Sequence, residues 1–206
     1  MTKPHPVLLD EARLAALRRS SLLDSPAETG FDRVTRLAAG VIGAPVCLVS
    51  LVDDRRQFFK SVFGLGGPAA EARETPLTHS FCQHVVTAGA PLVVENAPAH
   101  PQVCDNLAIR DLGVKAYLGI PILSPDGLVL GSFCVIDTQP RRWTPREVEL
   151  VREFTGLVET EIALRVALTE KETASMRQRA VIDGTAFSVI ATSSEGGCER
   201  GNAGSE

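Results

Sequence analysis

The chain has 206 residues, of which 44% are apolar and 22% are charged, and its formal net charge is −4. These values are ordinary for a globular domain, and without a basic excess they argue against a nucleic-acid partner. The longest apolar stretch, residues 38–52, is interrupted by glycine and proline and is too short to span a bilayer. Residues 1–10 lack the apolar centre of a secretion signal, so we expect a cytoplasmic protein with no membrane partner.

The first third of the chain predicts two helices and a hairpin. Residues 7–23 place apolar side chains among charged ones at helical spacing, and a break at 24–27 that contains Pro26 ends this helix. A second helix is predicted for residues 29–41. An apolar run, a charged turn and an alternating segment follow, so residues 46–63 predict a β-hairpin.

The middle of the chain predicts a loop, a short helix and a long hairpin. Residues 64–77 are rich in glycine, proline and alanine, and Thr78 or Ser80 can then cap a short helix that ends at Thr87. We expect a brief strand at 91–95 and a mostly irregular segment at 96–113. The turn sequence SerProAspGly joins two strands predicted for residues 114–123 and 128–137.

The last helix has the clearest start in the chain. Thr144 suits the N-cap, Pro145 the first helical position, and Glu147 completes a capping box. Two apolar stripes follow it: Leu150, Phe154, Leu157, Leu164 and Leu168, then Val151, Val158, Ile162 and Val166. One stripe can cover a sheet, while the other can pack on the first two helices or form a dimer contact. We expect a homodimer through the terminal helices, with Leu157, Ile162 and Val166 at the contact.

The register of the long hairpin indicates which of its faces holds a pocket. If residues 123 and 128 pair, one face carries Lys115, Tyr117, Gly119, Pro121, Leu130, Ser132, Cys134 and Ile136. These side chains are smaller and more polar than those of the opposite face, which suits a small-molecule cavity, although a loop-packed face without ligand is the alternative. We expect the pocket residues to be Tyr117, Gly119, Ser132 and Cys134, joined by His79 and Cys82.

The cysteines and histidines do not form a metal-binding pattern. The five cysteines have neither the paired spacing of a zinc site nor the density of a secreted disulfide scaffold, so we expect reduced thiols. His79 and Cys82 lie one helical turn apart, but zinc requires three or four ligands. We therefore expect no metal, and the sequence identifies no cofactor.

Several segments, taken together and in order, resemble the GAF domain family. They are LeuLeuAspSerProAlaGlu with PheAspArg at 22–33, LeuValSerLeuValAspAspArgArgGlnPhePheLysSer at 48–61, GluThrPro with HisSerPheCys at 74–82, LeuGlyIleProIle at 118–122 and GlySerPheCysValIleAsp at 131–137. The resemblance covers about residues 8–168 and is to the modules of bacterial sensor histidine kinases and diguanylate cyclases. It implies an α+β fold, with a central antiparallel sheet of about five or six strands, helices on one face and loops over the other.

The same resemblance sets the expected domain boundaries. It implies an N-terminal helix at 1–24, a GAF domain at 25–168 and a linker helix at 169–185. The tail is similar to the start of a PAS domain, so residues 186–206 are expected to be a truncated PAS-like start or a disordered tail.

The resemblance implies a sensory or regulatory module without catalytic residues, which binds an unidentified small molecule or acts as a dimeric signalling scaffold. One alternative is a bilin-binding photoreceptor, because Cys104 is placed like the bilin-attaching cysteine of cyanobacteriochrome-type GAF domains. Asp105 stands where those proteins have a histidine. The other is a thiol-dependent reductase, because Cys82 and Cys134 are similar to the redox pair of free methionine sulfoxide reductases. Their mid-strand and short-helix positions favour a packing role.

Overall fold

A computed structural model describes residues 5–194, with side chains described over residues 5–179. Its helices are α1 Glu11–Arg19, α2 Thr29–Ile42, α3 Pro68–Ala72, α4 Cys82–Ala88, α5 Ala108–Asp111 and α6 Pro145–Ser194. Its strands are β1 Val46–Val52, β2 Arg56–Phe63, β3 Glu74–Pro76, β4 Leu92–Val94, β5 Ala116–Leu123 and β6 Val129–Asp137. The described residues up to Val166 form one compact unit, and residues 167–194 belong to a second.

The six strands form one antiparallel sheet in the order β3-β2-β1-β6-β5-β4. This confirms the predicted α+β class and the two predicted hairpins. The sixth strand, β3, lies where the sequence predicted only a loop. Thr75 pairs with Gln57 of β2 there, because the backbone straightens after Arg73, a residue in the left-handed region.

One face of the sheet is covered by α1, α2 and α6. Their buried side chains pack against alternate residues of β1, β5 and β6 in one apolar cluster, which includes Phe31, Leu118 and Phe133. The other face is covered by α4, α5 and the connecting segments, around Phe59, Phe81 and Tyr117. Both faces are therefore buried, and the central strand β1 is buried along its whole length.

The first predicted helix is divided in two. A 3-10 turn covers Pro6–Leu9 and α1 begins at Glu11, so the sequence prediction of one helix over 7–23 was too long at both ends. Asp10 caps α1 by accepting a hydrogen bond from the Arg13 amide at 2.8 Å. The buried Arg13 guanidinium donates to the carbonyls of Val7, Leu8 and Val52. In an unbroken helix the carbonyls of Val7 and Leu8 would accept hydrogen bonds from backbone amides, so the break leaves them available to Arg13.

The start of α6 matches the predicted capping box. The Glu147 amide donates to Thr144 Oγ1 at 3.2 Å, and the Thr144 amide donates to Glu147 Oε2 at 2.7 Å. The helix continues through Ser194, past the boundary at 185 expected from the PAS-like resemblance. Residues 195–206 of that expected segment lie outside the described residues. In the described part of the chain, none of the helices is both long and apolar enough to cross a membrane.

The two apolar stripes of α6 have different environments. Val151, Val158 and Ile162 are fully buried in the helix-covered core, so Ile162 is a core residue and does not lie on an exposed contact surface. Val166 is partly buried against the same core. Leu157 and Leu164 are 55% and 56% exposed, because they lie on the opposite side of the helix. Leu150 and Phe154 of the first predicted stripe also pack against the core, so the exposed residues of that stripe are Leu157, Leu164 and Leu168. The predicted dimer set of Leu157, Ile162 and Val166 mixed exposed and buried residues.

A buried ion network joins β2 to the start of α2 and to α6. Lys60 has a side chain with no exposed surface, and its ammonium group donates to Ser25 Oγ at 2.6 Å and to the Pro26 carbonyl at 2.7 Å. It also pairs with Glu28, which accepts a second ion pair from Arg165 of α6. The charge of Lys60 is thus compensated by three oxygen acceptors, as a buried ammonium requires.

We expect Lys60→Ala to lower the free energy of unfolding by about 2 to 3 kcal/mol, because it removes the cation and leaves three acceptors without their donor. The loss is smaller than for a fully buried pair, since Glu28 is 32% exposed and keeps Arg165. Urea denaturation measures the change. Arg55→Ala is the matched control, because the Arg55 side chain is 86% exposed, and equal losses in the two variants would contradict a structural role for the network.

Candidate functional site

The register of β5 and β6 decides which side chains line the second face of the sheet. Tyr117 pairs with Ile136 and Gly119 with Cys134, two residues away from the register predicted by joining 123 to 128. One residue of this shift arises because Leu123 pairs with Val129 and not with Leu128, and a bulge between Ile122 and Leu123 adds the second. Because a shift of two residues preserves the alternation of a strand, Tyr117, Gly119 and Cys134 keep their predicted face.

The prediction fails at the hairpin end of β6. Leu130 was placed on the pocket face, but it packs in the helix-covered core, whereas Val129 packs on the pocket side. Leu130 is the extra residue at the bulge, since Ile122 pairs with Gly131 and Leu123 pairs with Val129. A bulge reverses the alternation beyond it, and the sequence did not signal one here.

Two predicted pocket residues from distant parts of the chain meet in the buried layer between α4 and the sheet. Cys82 is the first residue of α4 and Cys134 lies in the middle of β6, and their sulfur atoms are 3.9 Å apart. Both are free thiols and both are buried. In the sequence analysis, only the resemblance to a known redox pair suggested that these two cysteines are partners. The fold brings their sulfur atoms into contact.

Tyr117 connects the thiols to the remaining predicted residues. Its hydroxyl donates to Cys82 Sγ at 3.2 Å and lies 3.2 Å from Ser132 Oγ. Its ring lies against Phe81, with centroids 5.3 Å apart. The tyrosine folds back over Gly119, where a Cβ atom would be 2.2 Å from the tyrosine oxygen. Gly119 is therefore needed for the close approach of Tyr117 and does not line open space.

Ionisation is shared unequally between the two thiols. Burial raises the pKa of Cys82, but hydrogen bonds with Cys134 and Tyr117, together with the nearby hydroxyls of Ser50 and Ser132, outweigh burial and leave that pKa below its usual value. Burial and the adjacent Cys82 raise the pKa of Cys134 well above its usual value. The pKa of Tyr117 is also raised, by burial and then by the two thiols. Tyr117 donates to Cys82 Sγ, so this hydrogen bond favours the thiolate form of Cys82.

Ser50 is a member of this cluster that the sequence analysis missed. It lies in β1 opposite Ser132 of β6, and its side chain is fully buried. Among the described residues, its hydroxyl is one of two buried side-chain oxygens without a hydrogen bond, although it lies close enough to stabilise a Cys82 thiolate. A polar residue in the otherwise apolar run of β1 was the available signal, because buried hydroxyls ordinarily have a partner.

A small cavity borders the thiol pair. Its volume is about 30 Å³, and His79, Cys82, Tyr117 and Cys134 are four of the predicted residues that line it. The remaining wall is mostly apolar and includes Val46, Leu48, Phe59, Phe81, Val114 and Ile136. Such a volume holds one or two water-sized molecules. The exposed Thr138 also lines the cavity, so the space extends from the buried sulfurs toward the surface.

His79 lies at the rim of the same cavity. It ends a 3-10 turn at Leu77–His79, just before α4, and its Nε2 is 3.1 Å from an Asp111 carboxylate oxygen on α5. The carboxylate has a pKa of about 2, lowered first by its hydrogen bond with Arg110 and then by the one with His79. The His79–Asp111 contact joins the segments that cover this side of the sheet.

The other candidate chemistries have less support in the geometry. Cys104 is exposed and does not line the cavity beside Tyr117. Within residues 5–179, no group of three or more histidine, cysteine or carboxylate side chains is arranged to hold a metal ion. His79 and Cys82 both face the cavity, but with Cys134 they form no such group.

Comparison with known proteins identifies similar sequences and folds. A family model described as GAF domain matches residues 26–162. A cyclic di-GMP phosphodiesterase of Pseudomonas aeruginosa is 32% identical over 160 residues, which are 76% of this chain and 26% of that protein. The chain therefore spans about a quarter of the length of this curated relative.

Solved structures share the fold at low sequence identity. The GAF domain of a phosphoenolpyruvate-protein phosphotransferase from Acinetobacter has a TM-score of 0.56 and 18% identity, covering 79% of this chain and 96% of that one. The free methionine-R-sulfoxide reductase of Neisseria meningitidis, solved with its substrate, has a TM-score of 0.54 and 15% identity, covering 82% and 96%. At these identities the likeness establishes the fold.

We expect Gly119→Ala to displace Tyr117 from the thiols and to lower the free energy of unfolding by about 1 to 3 kcal/mol, because the new methyl group overlaps the tyrosine hydroxyl. Thermal unfolding measures the loss, and near-ultraviolet circular dichroism of the single tyrosine reports its movement. Gly40→Ala is the control. No atom lies within 4 Å of its added Cβ, so alanine there is expected to stabilise α2 by about 0.5 to 1 kcal/mol. Equal behaviour of the two variants would contradict the packing of Tyr117 on Gly119.

Proposed function

The chain belongs to the GAF domain family, and we propose that it is a cytoplasmic regulatory module of a bacterial signalling protein that works as a homodimer joined through α6. The similarity to a cyclic di-GMP phosphodiesterase supports the signalling context. Because the match covers 26% of that protein, its catalytic activity is not assigned to these residues. We propose a regulatory role without catalysis for residues 26–162.

The observation that carries this proposal is the exposed apolar stripe of α6. Leu157 and Leu164 are more than half exposed and lie seven residues apart, which is one heptad. A heptad spacing keeps side chains on one side of a helix, where they can meet the same side of a second helix. The opposite stripe, which includes Val158 and Ile162, is already buried by the domain itself.

A second copy of the chain is the partner that this surface fits. In a twofold dimer each α6 meets its own copy, so one apolar stripe supplies both halves of the contact. Exposed Met176 lies farther along the same helix. A small rotation or translation between paired helices is a known means of passing a signal along them.

The cavity supports a scaffold role more strongly than the binding of a large ligand. Small-molecule pockets usually enclose about 300 to 1,000 Å³, whereas this cavity encloses about 30 Å³. A bilin would need much more space, and Cys104 is exposed outside the cavity. The fold shared with a methionine sulfoxide reductase, at 15% identity, carries no assignment of that activity.

We expect the double variant Leu157→Glu, Leu164→Glu to be monomeric at concentrations where the wild type is dimeric, because charged side chains replace the apolar contact on both helices. Sedimentation velocity from about 1 to 100 µM covers the range of weak to moderate self-association. The sheet should remain folded, since both leucines are exposed in the monomer.

Arg152→Glu is the control for the change of charge. Arg152 is also exposed on α6, but it lies on a different side of the helix from Leu157 and should leave the dimer intact. Ile162→Glu should instead reduce the free energy of unfolding, because Ile162 is fully buried. A wild-type protein that stays monomeric at about 100 µM would remove the dimer from the proposal.

A further inference from the structure

The buried thiol pair has no part in the proposed contact through α6. Cys82 and Cys134 are nonetheless two free sulfurs 3.9 Å apart at the wall of a cavity that extends toward the surface. Three hydroxyl groups, those of Ser50, Tyr117 and Ser132, surround them. This combination of paired sulfurs, a water-sized space and hydrogen-bonding groups is a chemical site that simple core packing does not require.

We propose that Cys82 and Cys134 form a reversible disulfide when a small peroxide enters the cavity, which makes this pocket a thiol oxidation site. The inference goes beyond the proposed self-association and does not depend on it. It names a small peroxide as the chemical signal to which the module responds.

The distance between the sulfurs permits this bond after a local movement. A disulfide requires a separation of about 2.05 Å, so the two sulfur atoms must approach each other by about 2 Å. Cys82 is the first residue of α4, where the chain has just left the 3-10 turn at Leu77–His79. Cys134 is fixed between β1 and β5 in the sheet interior. The movement therefore falls mainly on Cys82 and the start of α4.

The size of the cavity selects the oxidant. A volume of about 30 Å³ accepts a molecule of two heavy atoms, such as hydrogen peroxide, but excludes glutathione disulfide and other bulky disulfides. Tyr117 also lines the cavity, and its hydroxyl is the polar group there that can contact a peroxide oxygen beside Cys82. We assign the attack to Cys82, because the Tyr117 hydroxyl donates to Cys82 Sγ at 3.2 Å and a hydrogen-bond donor favours the thiolate.

The reaction consumes one peroxide for each disulfide. The Cys82 thiolate attacks one peroxide oxygen, the O–O bond breaks, and the departing hydroxide takes up a proton to leave as water, with Cys82 as a sulfenic acid. Cys134 then attacks Cys82 Sγ, the S–O bond breaks, and a second water leaves with the Cys134 proton. In total the two thiols lose two electrons and two protons, and hydrogen peroxide becomes two waters. An external dithiol reverses the process.

Disulfide formation would change the surroundings of the single tyrosine in the chain. Tyr117 donates to Cys82 Sγ in the reduced protein, and movement of that sulfur toward Cys134 breaks or weakens this bond. Ser132 Oγ is then the remaining partner of the hydroxyl. The near-ultraviolet circular dichroism of Tyr117 is therefore a built-in reporter of the reaction.

The experiment uses the full chain with Cys104→Ser and Cys198→Ser, which leaves Cys47, Cys82 and Cys134. Trypsin then separates the three thiols into the peptides 37–55, 74–110 and 116–141. Folded protein is treated with hydrogen peroxide, blocked with an alkylating reagent, digested without reductant and analysed by mass spectrometry. We expect a species joining 74–110 to 116–141, lighter than the sum of the two peptides by two hydrogens, which dithiothreitol separates.

Three controls define the result. Cys47→Ser in the same background should keep the linked species, while Cys82→Ser and Cys134→Ser should each abolish it. The tyrosine signal should change with the linked species and return on reduction.

The proposal is overturned if peroxide leaves both thiols alkylatable in the folded protein, oxidises either beyond sulfenic acid without a crosslink, or joins Cys47 instead. The variants Cys82→Ser and Cys134→Ser need not fold for the test to succeed. Peptide mapping of the protein that keeps both thiols identifies the linked peptides directly. Sedimentation of the reduced protein tests the dimer separately.

Discussion

The structure depends on the burial of both faces of the central strand β1. All seven of its residues are buried, between β2 and β6 within the sheet and between two layers of covering elements above and below. Helices α1, α2 and α6 shield one side with an apolar cluster. The second side is shielded by short helices and connecting segments. The small cavity and the paired thiols lie in that second layer.

Polar groups enter both buried layers, and the two layers compensate them differently. Lys60 is fully buried, but its ammonium group reaches oxygen acceptors around the start of α2, so its charge is compensated. Burial nevertheless lowers the pKa of Lys60, and the pairing with Glu28 only partly offsets this. In the cavity layer, Ser50 keeps an unbonded hydroxyl beside Cys82. A structural role suits the compensated cluster around Lys60, whereas Ser50 is an exception to the rule that buried hydroxyls have a partner.

Helix α6 combines a structural face with an interaction face. Val151 and Ile162 complete the apolar core, while Leu157 and Leu164 remain exposed on the other side. Arg165 of the same helix pairs with Glu28, which also pairs with Lys60 of β2. The two ion pairs of Glu28 therefore link strand β2 directly to the helix that is proposed to form the dimer.

The sequence by itself determined the elements whose signals are local. The capping box at Thr144 and Glu147, the turn before residue 128 and the alternation around Tyr117 each act within a few residues, and the predicted elements match the structure there. The tertiary structure alone decided the division of the first helix by Arg13, the bulge at Leu130, the burial of Ile162 and the contact of Cys82 with Cys134. These features depend on which distant strand or helix lies against a residue. The sequence pattern shows only whether a side chain is apolar or polar. The packing of the whole chain determines which residues that side chain contacts.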